Sequence, residues 1–397
     1  MKSIELFAGA GGLAIGLSRA GFDPVAIIER DRWCCDTLTE NRFFEGSGGA
    51  VWPIPTIDDV RRIDFRDHEG LVDLVSGGPP CQPFSLGGLH QAQNDDRNMW
   101  PEAVRAVREV RPAAFIFENV RGLARAVFSD YLNYIALQLS FPSLAARADE
   151  PWDAHRARLR AHSATAPRAE YSVRHALVDA ANYGVAQNRH RIMFVGFRDD
   201  IEPSWTMPRA THSREALVRA QQSGEYWDRH HVPLAERIPI ALREVDLIPP
   251  VELPWVTVRD ALMGLPDPTS DEASNWFDHR HRDGARSYPG HTGSPIDHPA
   301  KALKAGVHGV PGGENMLRMP DNIVRYFTVR EAARLQAFPD TWRFHGSASE
   351  AMRQLGNAVP TTLGEVVARS VRAHLASSPS LPATRSNEAP SFNSPTA

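Results

Sequence analysis

The stretch "SIELFAGAGGLAIGLSRAGFDPVAIIERD", Ser3 to Asp31, decides the architecture of the chain. "SIELFA" reads as a strand, a glycine-rich turn follows, "GLAIGLSRAG" reads as a helix, and "PVAIIERD" is a second strand ending in charge. Strand, turn, helix and strand in this order open a β-α-β unit, whose two strands run parallel because the helix carries the chain back. Further along the chain, the alternation continues. "LVDLVSGG" is a strand, "AVRAVREV" a helix, "AAFIFENV" a strand ending in Glu118 and Asn119, and "HRIMFVGFR" a late strand. "SVRHALVDAANYG" is predicted as a helix with Ser172 as N-cap and Gly184 as stop. The expectation is an α/β fold with a mostly parallel, Rossmann-like sheet covered by helices on both faces.

From about Ile201 to Tyr326 the texture changes to scattered proline, glycine, histidine and tryptophan, as in a loop-rich second domain. "FTVREAARLQAF" and "TTLGEVVARSVRAHLA" then return to helix, and the Ser/Pro-rich end reads as a disordered tail. The predicted division is a lobe over 1–200, a smaller lobe and hinge over 201–343, a returning segment over 344–376, and a tail over 377–397. No internal repeat is visible.

Composition narrows the function classes. The 397 residues carry a formal net charge of −4, with ordinary apolar and charged fractions, so charge alone gives no sign of a nucleic-acid partner. "HRARLRAH" (His155 to His162) and "HRHRDGAR" (His279 to Arg286) are local basic tracts, each read as a solvated face. Three cysteines, two of them adjacent at Cys34 and Cys35, build no disulfide framework. With no histidine-rich tract or C-x-x-C, no metal site is expected, and the setting is predicted as reducing and intracellular. No secretory leader or membrane-spanning run is expected.

The chemistry concentrates at the predicted strand ends, where open parallel sheets bind ligands. "FAGAGG" lets main-chain amides approach a ligand, and Glu29 follows Gly12 by seventeen residues, placed to accept from ribose hydroxyls. This pattern fits a nucleoside cofactor, either a dinucleotide or a nucleoside bearing a sulfonium. Asp59, in the following turn, is a candidate acceptor for an adenine amine. "GGPPCQPFS" (Gly77 to Ser85) holds one thiol, Cys81, in a proline-stiffened loop. With Glu118 at a neighbouring strand end, a thiolate and a buried acid suit attack on an electron-poor ring, the acid holding a ring nitrogen. Arg189 and Arg191 lie on alternate positions of an extended segment and so on one face. They suit activating a thiol and steadying anionic charge.

These motifs together resemble the DNA (cytosine-5) methyltransferases. "ELFAGAGG", "IIERD", "PPCQPFS", "ENVRGL", "QNRHRIMFVGFR", "FTVREAARLQAFPD" and "RQLGNAVP" match the family's motifs in the family's order, over nearly the whole chain. The resemblance implies S-adenosylmethionine as cofactor, with Phe7, Ala10, Gly12, Glu29, Asp59, Pro80 and Asn357 at the matching positions. Trp100 also lies at a matching position and reads equally as core. The resemblance further implies that Cys81 attacks C6 of a flipped-out cytosine and that Glu118 engages N3 and the amine. Arg191 would lie over the ring oxygen, while Arg189 holds the loop, the thiolate and nearby phosphate. "SLGGLHQAQNDDRN", Ser85 to Asn98, is the implied lid, with Ser85 and Arg97 facing DNA. Lys301, Lys304, His308 and Arg318 are candidate DNA contacts in the recognition region. The resemblance is to bacterial restriction-modification enzymes: a cytoplasmic, nucleoid-associated monomer acting on duplex DNA, with a cognate restriction endonuclease as functional partner. Its alternatives are the same chemistry on tRNA and a catalytically idle DNA-binding regulator. The segment from Ser140 to Glu170 is predicted as a surface insertion rather than a DNA-backbone flank, and Cys34 and Cys35 as core.

Overall fold

The computed structural model describes residues 1–44, 49, 51–80, 98–238, 251–305 and 315–378. Strand β1 (Lys2–Leu6) turns into helix α1 (Gly12–Arg19), and β2 (Asp23–Glu29) lies parallel to β1. Helix α2 (Arg32–Glu40) starts where the Asp31 side chain accepts from the Cys34 amide, which satisfies an otherwise orphaned donor. The two-residue β3 (Thr56–Ile57) extends the sheet beyond β2, and β4 (Leu74–Gly77) pairs with the opposite side of β1. Then follow α3 (Trp100–Val110), β5 (Ala114–Val120), α4 (Ser129–Ser140), α5 (Trp152–Thr165), β6 (Tyr171–Asp179), β7 (Gln187–Asn188) and β8 (His190–Arg198). The main sheet has seven strands in the order β3-β2-β1-β4-β5-β8-β6. The first five are parallel, and β8 and β6 close the far side antiparallel. A mostly parallel sheet is therefore what the sequence predicts.

One element differs. Ser172 to Gly184 is not a helix: Tyr171–Asp179 is β6, paired with β8 from Tyr171↔Arg198 to Asp179↔His190. Val173, Ala176, Leu177 and Ala180 do recur at helical spacing, but β8 has an open ladder of main-chain groups, and satisfying it outweighs local propensity. Only a short 3-10 turn, Ala180–Tyr183, survives of the predicted helix, and Gly184 (φ 84°) ends it as expected.

The sheet is buried by aromatic packing. Phe115 lies over Gly196 of the neighbouring strand, where any Cβ would sit 2.1 Å from the ring. Trp100, Phe117 and Phe194 meet edge to face beside it. Burying each such ring stabilises the fold by roughly 1.5–3 kcal/mol. Helix α5 docks on α4 through Trp152, which packs on Tyr131 and Tyr134, and through buried His155, bonded to the Tyr134 hydroxyl and the Leu144 carbonyl. Its arginines face acids: Arg156 lies 2.8 Å from Asp130 and Arg158 2.7 Å from Glu150, while Arg160 is 3.9 Å from Asp130.

Beyond β8 the elements are short: β9 (His212–Ser213), α6 (Arg214–Ser223), α7 (Glu225–Arg229), β10 (Leu253–Pro254), α8 (Val258–Leu262), β11 (Ser294–Pro295), β12 (Ala300–Lys301), β13 (Met316–Arg318) and β14 (Val324–Tyr326). Strand β12 pairs with β7, so this region is stitched to the strand that leads into β8. Helix α9 (Val329–Leu335) opens with a reciprocal Thr328–Glu331 cap, and α10 (Ala348–Asn357) and α11 (Thr361–Ser377) return to the main sheet. Helix α11 lies against α1, where a Cβ on Gly16 would sit 2.5 Å from the Glu365 amide nitrogen. Among the described residues, no helix is long and apolar enough to cross a membrane, and no cluster of three or more His, Cys, Asp or Glu could hold a metal ion.

Candidate active site

The chain leaves β1 to build β2 and β3 on one side, then crosses back to place β4 on the other. A crevice opens outside the C-terminal ends of the strands at such a reversal. Phe7, just past β1, holds a left-handed backbone (φ 54°), a conformation costly for a bulky side chain and kept where the surroundings enforce it. Of the three glycines that follow, only Gly9 is open, with no atom within 4 Å of where a Cβ would stand. Gly12 is glycine for another reason: a Cβ would lie 2.2 Å from the Val359 carbonyl oxygen. Ala10 is likewise buried in the core, beside Phe338 and Trp342 in the same cluster. The missing side chain of Gly12 thus admits the Val359 main chain.

Glu29, the last residue of β2, takes the Gly9 amide on Oε2 and the Arg30 and Asp31 amides on Oε1, each at 2.8 Å. Oε2 thus retains accepting capacity toward the crevice. Ile57, opposite Glu29 in the β2–β3 register, is 59% exposed. Sequence reading passed over it; the signal was an apolar residue at a strand end followed by two aspartates. Asp59 is held otherwise than expected. Both its carboxylate oxygens are engaged by Arg61, at 2.9 Å to Nε and 2.5 Å to Nη2, and those bonds hold the carboxyl well below its usual range. Beneath the turn, Glu5 is wholly buried, and burial pushes its carboxyl up to about 8 against the Ser76 hydroxyl and the Ala14 main chain.

Strand β4 delivers the chain into Gly78-Pro79-Pro80. A Cβ on Gly78 would be 3.4 Å from Glu118 Oε2, so the turn passes directly beside that acid. Asn119 Nδ2 donates to the Pro79 carbonyl at 2.9 Å, pinning the turn from β5. This role too was missed, although a polar residue directly after Glu118 at the end of an apolar strand was visible. Cys81, Ser85, Arg97 and His308 lie outside the described residues. Asn98, at the end of the predicted lid, donates to the Tyr131 hydroxyl at 2.5 Å. Trp100 is core, as one of its two readings had it.

Glu118 and Arg191 face each other diagonally across the β5–β8 pair, where Val120 opposes Arg191 and Glu118 opposes Met193. Arg191 Nε is 2.5 Å from Glu118 Oε1, yet the N–H is not aimed along the contact and Oε1 accepts no aligned hydrogen bond among the described residues. Burial raises the Glu118 carboxyl, and the charges of Arg191 and Arg189 oppose the rise. The result is a buried acid beside a half-buried cation, with accepting capacity to spare. Arg189 is also fully buried, but it is placed differently from expectation. Nη1 donates to the Leu303 carbonyl, and Nη2 to the Gly356 and Ala358 carbonyls at 2.7 and 2.8 Å. In this structure it reaches main chain, not an exposed phosphate track.

Asn357 ends α10 exposed, two residues before the Val359 carbonyl that lies against Gly12. Pro80 is half-buried. The DNA candidates lie on the segments around β12 and β13. Lys301 Nζ donates to Thr292, the Lys304 main chain is bracketed by Asn315, and Arg318 lies on β13 opposite Pro295.

A family model described as C-5 cytosine-specific DNA methylase matches residues 1–141 and 158–373. The chain belongs to that family. This methylase is 30% identical over 374 residues to the type II methyltransferase M.NgoMIV of Neisseria gonorrhoeae, covering 93% of this chain and 96% of the relative. It is also 30% identical to M.Eco47II of Escherichia coli, over 93% of this chain and 78% of that one. Two solved structures share its fold: a DNA modification methyltransferase encoded within an E. coli prophage (TM-score 0.56, 22% identity, 95% and 99% covered) and the S. pombe Dnmt2 methyltransferase (TM-score 0.56, 16% identity, 95% and 98% covered). The methylase activity is therefore transfer of a methyl group to C5 of cytosine in DNA. The family model skips 142–157, within the predicted insertion, which the structure forms as the connection to α5 and its first half.

Proposed function

We propose that this methylase modifies one cytosine within a short duplex sequence, using S-adenosylmethionine, and protects host DNA from a cognate restriction endonuclease. The observation that carries the reading is the pair of buried Glu118 and half-buried Arg191 beside a turn pinned by Asn119, two residues before Cys81. Its relatives named as type II methyltransferases support the restriction-modification setting. The reading places the protein in the bacterial cytoplasm at the nucleoid, working as a monomer.

The residues of the crevice fit the cofactor. The open side of Gly9 admits close main-chain approach, Glu29 Oε2 retains accepting capacity for a ribose hydroxyl, and exposed Ile57 offers an apolar face. Phe7, Pro80 and Asn357 complete the wall, with Ala10 and Gly12 contributing main chain and Asp59 the neighbouring turn. Bound there, S-adenosylmethionine supplies an electrophilic methyl group.

The base must leave the stack to be reached, at a cost of a few kcal/mol. Cys81 Sγ then bonds to C6 of the cytosine, and ring electron density moves onto N3 and C5. Glu118, whose carboxyl burial raises, holds the proton at N3 and accepts from the exocyclic amine. Arg191 fixes that acid and faces the ring oxygen. After methylation, a solvent water takes the C5 proton, and the C–H electron pair restores the C5–C6 double bond as the C6–S bond breaks and Cys81 leaves as the thiolate. We assign 1–200 to the catalytic lobe and DNA reading to the region after it, with Lys301, Lys304 and Arg318 as candidate contacts and Ser85 and Arg97 on the lid. We assign 344–376 to the returning segment; Phe344 and Ala351 share a core with Ala8 and Ala10, which supports the assignment.

The test is transfer of labelled methyl from S-adenosylmethionine to duplex DNA of mixed sequence, with base-resolved mapping of 5-methylcytosine. Label at one recurring short motif is expected. Label on tRNA alone, or on no nucleic acid, would overturn the proposal.

A further inference from the structure

Arg189 touches three parts of the chain at once. Its backbone leads into β8, two residues before Arg191. The stretch just before it is zipped to the recognition region: Gln187 and Asn188 pair with Ala300 and Lys301, and Gln187 Oε1 accepts from the Leu303 amide. The guanidinium then spans the junction, with Nη1 on the Leu303 carbonyl and Nη2 on the Gly356 and Ala358 carbonyls. Those last two carbonyls flank Asn357. Gly356 itself has no room for a side chain, because a Cβ would lie 2.4 Å from the Ala305 nitrogen and 2.5 Å from the Lys304 carbonyl carbon.

A planar guanidinium presents donors in a fixed fork. Three carbonyls arranged to fit that fork cannot shift independently without leaving a buried donor or acceptor unsatisfied, which is costly. Main chain at 303–305 comes from the DNA-reading side, 356–358 from the cofactor side, and 189–191 from the base-holding side. All three meet at one side chain, and interlocking through Gly356 removes the slack between the first two.

We propose that Arg189 is a positioning residue that couples the DNA-reading segment at 303–305 to the cofactor side at Asn357, so that each ligand strengthens binding of the other. This rests on the functional reading above. By reciprocity, DNA must raise affinity for the cofactor by the same factor as the cofactor raises affinity for DNA. The role differs from phosphate or thiolate contact, which would act on DNA binding or on turnover without joining the two sites.

The experiment measures binding of S-adenosylhomocysteine by calorimetry, with and without a duplex carrying the mapped methylation site, and binding of that duplex by fluorescence anisotropy. For the wild type the expected coupling is roughly 5- to 150-fold. In Arg189→Met it falls toward one, while affinity for S-adenosylhomocysteine alone changes less, and Arg189→Lys keeps part of it. Gly356→Ala, which pushes the two main chains apart without altering Arg189, is expected to lower the factor as well, and serves if the Met variant does not fold. A factor retained in the folded variants overturns the proposal, since a purely structural role lowers thermal stability and leaves coupling intact. DNA affinity reduced equally with and without S-adenosylhomocysteine also overturns it and assigns a phosphate contact. A wild-type protein that binds neither ligand overturns the functional reading together with this one.

Discussion

At the scale of single residues, Glu118 carries the most chemistry for its size. Its carboxyl is raised by burial, lies against Arg191, and retains an oxygen with no aligned hydrogen bond. Glu118→Gln keeps the shape and a donor but has no proton to give, so kcat is expected to fall about 100-fold or more while the protein stays folded. Single-turnover methyl transfer would check this, and a Gln variant within a few-fold of wild type would remove Glu118 from the reaction. The sequence made this residue legible because an acid closing an apolar strand beside a proline-cysteine loop has few ordinary structural uses. Gly12 and Arg189 were less legible for a common reason. What they touch, Val359 in one case and Leu303, Gly356 and Ala358 in the other, lies far along the chain, and no local pattern announces a contact of that range.

At the scale of elements, β1, its turn and α1 form a unit with a buried acid inside it. Glu5 sits at about 8 in the fold, against 4.5 for an unrestrained carboxyl. The folded state therefore holds this proton more tightly than the unfolded one. The stability that follows is fully present below about 4.5 and is lost as pH rises toward 8. The loss is at most about 1.4 kcal/mol per pH unit. Glu5→Gln removes the titration, so urea unfolding at pH 5, 6.5 and 8 should show the variant gaining on wild type at each step. Parallel curves would count against the buried proton. The unit itself was readable from apolar runs punctuated by glycine. Strand β6 was not, because its apolar residues fit both periods and the choice was made by β8, a strand met only after it.

At the scale of the whole molecule, net charge and the basic tract at 155–162 pull in opposite directions for a DNA enzyme. Docked as α5, that tract is not an open cationic face: Arg156 and Arg158 lie within 2.8 Å of acids and His155 is buried. Replacing Arg156, Arg158 and Arg160 together by Gln should therefore leave the slope of log DNA affinity against log salt unchanged. A slope shallower by roughly 0.9 per lost phosphate contact would assign the helix to DNA after all. The paired state of these arginines was not legible in the sequence, because Asp130 and Glu150 reach them only through tertiary packing. The same packing closes α11 onto α1, with Arg19 bonded to Thr361 across 342 residues of sequence. A ribosome making this chain completes the parallel strands long before the helix that covers α1 exists. Until then Leu13 and Leu17, which pack in one cluster with Leu363 and Val367, lack that cover. Such a long-range closure is slow and leaves apolar surface open to aggregation. The parallel strands therefore cannot complete their packing until the last helix of the chain has been made.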